Sequence, residues 1–182
     1  MTGERVEPAE DERITITSAV GLKAEHLKAL GRITVNYSFM EMMLRSSLAL
    51  LCEPDDEIAR ALTSGAGFGQ LLAHVASVCE IRAVQGLRVA ADFAELKGRM
   101  EKAAKKRNDV VHALWEVGDT PGVITAHRIQ RRSRKGSLEK GTPLTSMDLN
   151  AISDEILDVA SALAAFYGGV SLAKESFNPH TR

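Results

Sequence analysis

Apolar residues recur along this chain in steps of three and four over long stretches, a spacing that lays hydrocarbon along one face of an α-helix. The clearest run is Leu27, Leu30, Ile33, Tyr37, Met40, Leu44, Leu48 and Leu51. It predicts one long helix from Val20 to Cys52, with a bend near Gly31 and a stop at Glu53-Pro54, where the proline ring clashes with a continuing helix. Asp55 is placed to cap a short helix over 56–62. Gly65, Gly67 and Gly69 then break the pattern, and with no strand before them they do not form a dinucleotide fingerprint. A further helix is expected over 71–83. A second long one is expected from Arg88 to Glu116, and a last one begins near Thr145 and Asp148 and ends near Gly168, with Met147, Ile152, Ile156, Val159, Leu163 and Phe166 on one face.

Between the last two helices the character changes. Gly118-Asp119-Thr120-Pro121-Gly122 is a turn cluster, and Val123 to Ile129 is rich in β-branched residues. A hairpin over about 123–143 is expected there, inside an insert of about 117–144. The fold class expected is therefore all-α: a four-to-five-helix bundle with a small β-hairpin insert before the last helix. Residues 1–12 are expected to be a disordered N-terminus, 13–172 a single domain and 173–182 a frayed tail.

At 182 residues the chain suits one domain with a sizeable core. Its net charge of −1 means that any contact with a polyanion needs a local patch. The start, MTGERVEPAEDER, has no apolar stretch behind a basic end, and no unbroken apolar run approaches about 18 residues. A cytoplasmic protein without membrane contact is the expectation. Cys52 and Cys79 lie within apolar helical patterns, so buried thiols are expected rather than a metal or redox pair.

One position breaks the helical code. On the second long helix the apolar positions are Phe93, Leu96, Met100, Ala103, Val110 and Leu114, and the member missing from the series is Arg107. At about 100° per residue it points almost where Met100 and Val111 point. A core-facing guanidinium is costly unless paired. Glu41, equally misplaced on the first helix's stripe, is the expected partner. His112 lies about 140° around the helix from Arg107, and Asn108 shares the face of His112. A polar rim of Arg107, Asn108 and His112 at the edge of the apolar stripe is the candidate site.

Arg107-Asn108-Asp109-Val110-Val111-His112, continued by Ala113-Leu114-Trp115, resembles the Rx4–6H motif of the HEPN superfamily, including the polar residue after the arginine. The order of long, shorter, motif and final helix is similar as well, over roughly residues 22–170. The resemblance implies a metal-independent ribonuclease, often with its site shared across a homodimer, in toxin–antitoxin or defence systems where a protein antitoxin is a possible partner. Arg107 and His112 would be catalytic, Asn108 and Glu41 supporting, with no cofactor. Histidine moves protons near neutral pH, and arginine offers a fixed fork of donors to a phosphate. Lys105, Lys106, Arg128, Arg131 and Arg132 would line an RNA-binding face if the insert folds beside the motif helix. With aromatic residues at 4%, a base-stacking platform is not expected. The alternative is a non-catalytic helical module that dimerises or binds a protein or nucleotide, with Arg107 and Glu41 as a structural pair.

Overall fold

The computed structural model describes residues 21–52, 57, 61, 63–87, 89–127 and 141–176. The expected 1–12 tail, the short helix over 56–62 and the basic stretch from Arg128 to Lys135 fall wholly or largely outside these residues. Among the described residues four long helices and three strands follow in order: α1 (Ala24–Cys52), α2 (Phe68–Val84), α3 (Ala90–Val111), β1 (Leu114–Val117), β2 (Val123–His127), β3 (Thr142–Thr145) and α4 (Ser146–Ser176).

The stripe on α1 is buried as Ala29, Ile33, Tyr37, Met40, Leu44, Leu48 and Leu51. It is shifted slightly from the expected set at its start. Leu27 is 40% exposed, and His26 takes the inward place at 1%. His26 is a cap. Its Nδ1 accepts from the Lys23 backbone N–H at 3.1 Å, so the ring proton sits on Nε2, which donates to the Gly122 carbonyl at 3.1 Å. One ring thus satisfies an orphan donor of the helix start and ties that start to the β1–β2 turn. The turn needs Gly122, whose φ is +82°.

Pairings between helices fix their directions. Asn36 Nδ2 donates to Ser153 Oγ at 3.0 Å, and Lys174 Nζ donates to the Leu50 carbonyl at 2.7 Å, so α1 and α4 run parallel. Tyr37 packs on Phe68, and Arg82 Nε donates to the Leu51 carbonyl at 2.8 Å, so α2 runs the same way. Arg99 meets Asp158 at 2.7 Å and Lys106 meets Glu155, so α3 is antiparallel to α4. The end of α3 and the start of α4 therefore lie at one end of the bundle, joined by the sheet.

The sheet corrects two expectations. The second long helix does not reach Glu116. It ends at Val111, and 114–117 form β1, so the insert is a three-stranded antiparallel sheet in the order β1-β2-β3. The Val110-to-Leu114 step imitates a helical repeat. Residues 114–117 instead pair with 124–127 across the Gly118–Gly122 turn, which satisfies the β1 backbone on one side. Leu114 is 47% exposed as a result. Ile124 and Ala126 face inward from β2, and Leu144 and Trp115 pack against the same core.

The last helix starts as expected and ends later. Asp148 Oδ2 accepts from the Thr145 N–H at 2.8 Å and its Oγ1 at 2.7 Å, while the Asp148 N–H donates back to Thr145 Oγ1 at 3.2 Å. This is a capping box with aspartate in the glutamate role. The helix then continues through Gly168 to Ser176, with Val170 buried, because the Lys174 contact holds its far end. Met147, expected inward, is 80% exposed. By length and composition alone α4 is also apolar enough to cross a bilayer, which unbroken run length did not reveal. Its inward residues Leu149, Ile156, Val159, Ala160, Leu163 and Val170 belong to the core shared with α1. Both cysteines are free. Cys79 is buried and Cys52 half-buried, and burial pushes both thiols up, Cys79 to about 12.

Thr145→Ala should lower stability by about 1 kcal/mol, read from chemical denaturation. The two hydrogen bonds from Thr145 hold the Asp148 carboxyl below the usual carboxylate range. A depressed folded-state value stabilises the fold above the unfolded value, near ~4, and that contribution fades as pH falls through the folded value. Asp148→Asn should therefore be less stable than the parent at pH 7 and approach it in strong acid.

Candidate functional site

Arg107 occupies the slot that the apolar code left for it. Phe93, Leu96, Met100, Ala103, Ala104 and Val110 are all buried, and at 100° per residue Arg107 lies in the middle of their arc. The guanidinium is half-buried. Its Cζ stands 4.9 Å from the centre of the Tyr37 ring, a cation–π contact. Its Nε is buried and has no hydrogen-bond partner. Its Nη1 donates to Asn108 Oδ1 at 3.0 Å and lies 2.9 Å from His112 Nε2. A guanidinium only donates, so Nε2 is the acceptor and the imidazole carries its proton on Nδ1.

The end of α3 makes this meeting possible. His112 is the residue that closes the helix, with its N–H returned to the Asn108 carbonyl at 3.3 Å. A residue five positions on in a continuing helix would stay about 140° away. At the terminus the ring is free to swing back over the guanidinium. The expected trio of Arg107, Asn108 and His112 is thus together, with His112 and Asn108 exposed to solvent. Asn108 braces Arg107 through its carbonyl oxygen.

Glu41 does not pair with Arg107. It accepts from Arg45 Nη2 at 2.9 Å, one turn along its own helix. The same Arg45 donates to the Thr63 carbonyl at 2.5 Å and the Ala66 carbonyl at 3.0 Å, and so straps the approach to α2 onto α1. The local i,i+4 geometry, with glutamate ahead of arginine, wins over the cross-helix pair. Glu41 still acts at a distance. Burial first, and then the Glu41 charge, push the Tyr37 hydroxyl up to about 12, against the pull of Arg107. Tyr37 is therefore a neutral ring with an electron-rich face under the guanidinium.

Lys105 pairs with Asp109 at 2.9 Å and Lys106 with Glu155, so both amines are held in ion pairs on either side of α3. Arg128, Arg131 and Arg132 lie outside the described residues. Among the described residues no three His, Cys, Asp or Glu side chains gather at one point. Two residues beyond the expected set complete the site. Tyr37 is the platform for Arg107. Phe68, with its ring 5.2 Å from that of Tyr37, backs the platform from α2. The signal for Tyr37 was present, since it is the aromatic member of the α1 stripe one turn before Glu41.

With Glu41 held elsewhere, Arg107 contributes little to stability. Arg107→Met, which fills the slot with hydrocarbon and removes an orphaned Nε, should keep or raise the melting temperature. A drop of several degrees would show that the guanidinium is a structural partner after all. Comparison with family models, with curated proteins and with solved structures finds no match for this chain.

Proposed function

We propose that this chain is a HEPN-like, metal-independent endoribonuclease in which Arg107 and His112 act directly on the scissile phosphodiester. The observation that carries this reading is the contact of Arg107 Nη1 with His112 Nε2 at 2.9 Å, at an exposed helix end. It joins a phosphate-binding fork to an unprotonated ring nitrogen, which becomes able to accept a proton once Arg107 turns to a phosphate.

The chemistry divides between an arginine and imidazole groups. His112 Nε2 takes the proton from a ribose 2′-hydroxyl as its oxygen attacks the adjacent phosphorus. The bond from the 2′-oxygen to phosphorus forms, and the bond from phosphorus to the 5′-oxygen breaks. A protonated imidazole returns a proton to the leaving 5′-oxygen. Arg107, turned from the ring to the phosphate, faces the charge that develops on the non-bridging oxygens. Tyr37 and Asn108 hold the guanidinium in place. The products are a 2′,3′-cyclic phosphate and a 5′-hydroxyl.

A second copy would supply the second imidazole, as in a two-fold dimer with one acid and one base. An exposed apolar line on α1 supports this part of the reading. Val35 is 67% exposed, Phe39 37% and Met42 51%, and they follow one another by a helical turn. Such a line also suits the alternative, a dimerisation module without catalysis.

Single-stranded RNA incubated with the protein in excess chelator should be cut to 2′,3′-cyclic phosphate and 5′-hydroxyl ends. His112→Ala should lower the rate at least ~100-fold with its circular dichroism unchanged. Equal cleavage by that variant, or loss of activity on chelation, would overturn the reading. Tyr37→Phe should keep most of the activity because the ring remains, whereas Tyr37→Leu should lose it chiefly in kcat. Equal loss in both would place the role of Tyr37 in its hydroxyl instead.

A further inference from the structure

Beside the Arg107–His112 pair lies a cleft of about 430 Å3, between the first turns of α2 and the C-terminal half of α3. Phe68, Leu72 and Ala104 form apolar walls with Ala73 at the rim, and the polar groups are Glu101 and Asn108 together with Lys97 and the Lys105–Asp109 ion pair. Two features join the cleft to the site. Asn108 lines it and at the same time accepts from Arg107 through Oδ1, which leaves both N–H groups of Nδ2 for another partner. Phe68 lines it and packs on Tyr37, which carries the guanidinium.

We propose that this cleft is a nucleobase subsite that selects guanine on the 5′ side of the scissile phosphate. Flat apolar walls suit an unpaired base, and the polar groups decide which one. Glu101 and Asn108 are seven residues apart, hence on nearly the same face and about 10.5 Å apart along the axis. Guanine presents acceptors at O6 and N7 on one edge and adjacent N–H donors at N1 and N2 on the next. A carboxylate accepts both of those donors, and a side-chain amide donates to the acceptors. Adenine lacks the adjacent donor pair, and a single pyrimidine ring is too short to reach both groups. Among the described residues no ion pair or hydrogen bond engages Glu101, so its carboxylate is available to a ligand.

The placement beside the scissile phosphate rests on the ribonuclease reading, but the test is one of binding and not of turnover. The full chain is titrated with each of the four nucleoside 3′-monophosphates, whose phosphate mimics the scissile one, and binding is followed by calorimetry. Guanosine 3′-monophosphate should bind at least tenfold more tightly than the other three. Glu101→Gln, a change at an exposed position, should remove that preference. Ala73→Trp should fill the mouth of the cleft and weaken all four. Where Ala73→Trp fails to fold, Glu101→Gln decides. Equal binding of the four nucleotides, no binding at all, or a guanine preference that survives Glu101→Gln would overturn the subsite. Guanine-selective binding without RNA cleavage would keep the subsite and remove the ribonuclease, whereas cleavage without selective binding would do the reverse.

Discussion

The guanidinium of Arg107 lies against the Tyr37 ring at 4.9 Å, inside an arc of α3 that is otherwise hydrocarbon. This contact sets the terms for everything around it. A cation in that place loses water and needs compensation. The compensation comes from three partial sources. A π-face lies beneath it, an amide oxygen stands at one side and an imidazole nitrogen at the other. None of them is a carboxylate, so the positive charge is supported without being neutralised. Glu41, the carboxylate expected to pair with it, is committed to Arg45.

That commitment depends on α1, which packs against the other three helices. Its inward stripe meets α3 through Tyr37. One flank meets α4 through Arg32 and Asn36, and the other meets the segment leading into α2 through Arg45. A helix held on three sides has little freedom to rotate, so the Tyr37 ring is a fixed platform. Phe68 adds to this from α2, in a tilted aromatic pair worth about 1 kcal/mol beyond its buried area. The surface ion pairs Arg32–Asp154 and Arg99–Asp158 contribute less, since both partners remain largely in water.

The parts of this arrangement that are local were legible in the sequence. The α1 stripe, the Thr145–Asp148 cap and the turn at 118–122 all follow from rules that act over four or five residues, whereas the expected proline stop lies outside the described residues. The misfit of Arg107 was legible too, because it is a statement about one helix and its period. What failed were inferences across elements. Matching two misplaced charges pairs Arg107 with Glu41, but a glutamate with an arginine four residues on has a nearer solution. The end of α3 is hidden from the local pattern for a similar reason. Val110 and Leu114 keep a helical step, and only pairing with β2 turns Leu114 into a strand residue. The late end of α4 depends on a lysine reaching a carbonyl of α1, 124 residues away in sequence.

The early end of α3 is also what gives the site its shape. Had α3 run on to Glu116, His112 would have stayed on a face turned well away from Arg107. The sheet removes that continuation. Because α3 is antiparallel to α4, the connection between them must turn around at one end of the bundle, and β1 begins two residues after His112. The strand takes the backbone sideways, and the imidazole is left at a terminus where it reaches the guanidinium. The same turn is fastened to α1 by His26, whose ring spans from the Lys23 N–H to the Gly122 carbonyl. The sheet is therefore more than an ornament on a bundle. By ending the motif helix early and pinning its exit to the first helix, it converts a pattern of residues on a cylinder into a contact between two side chains.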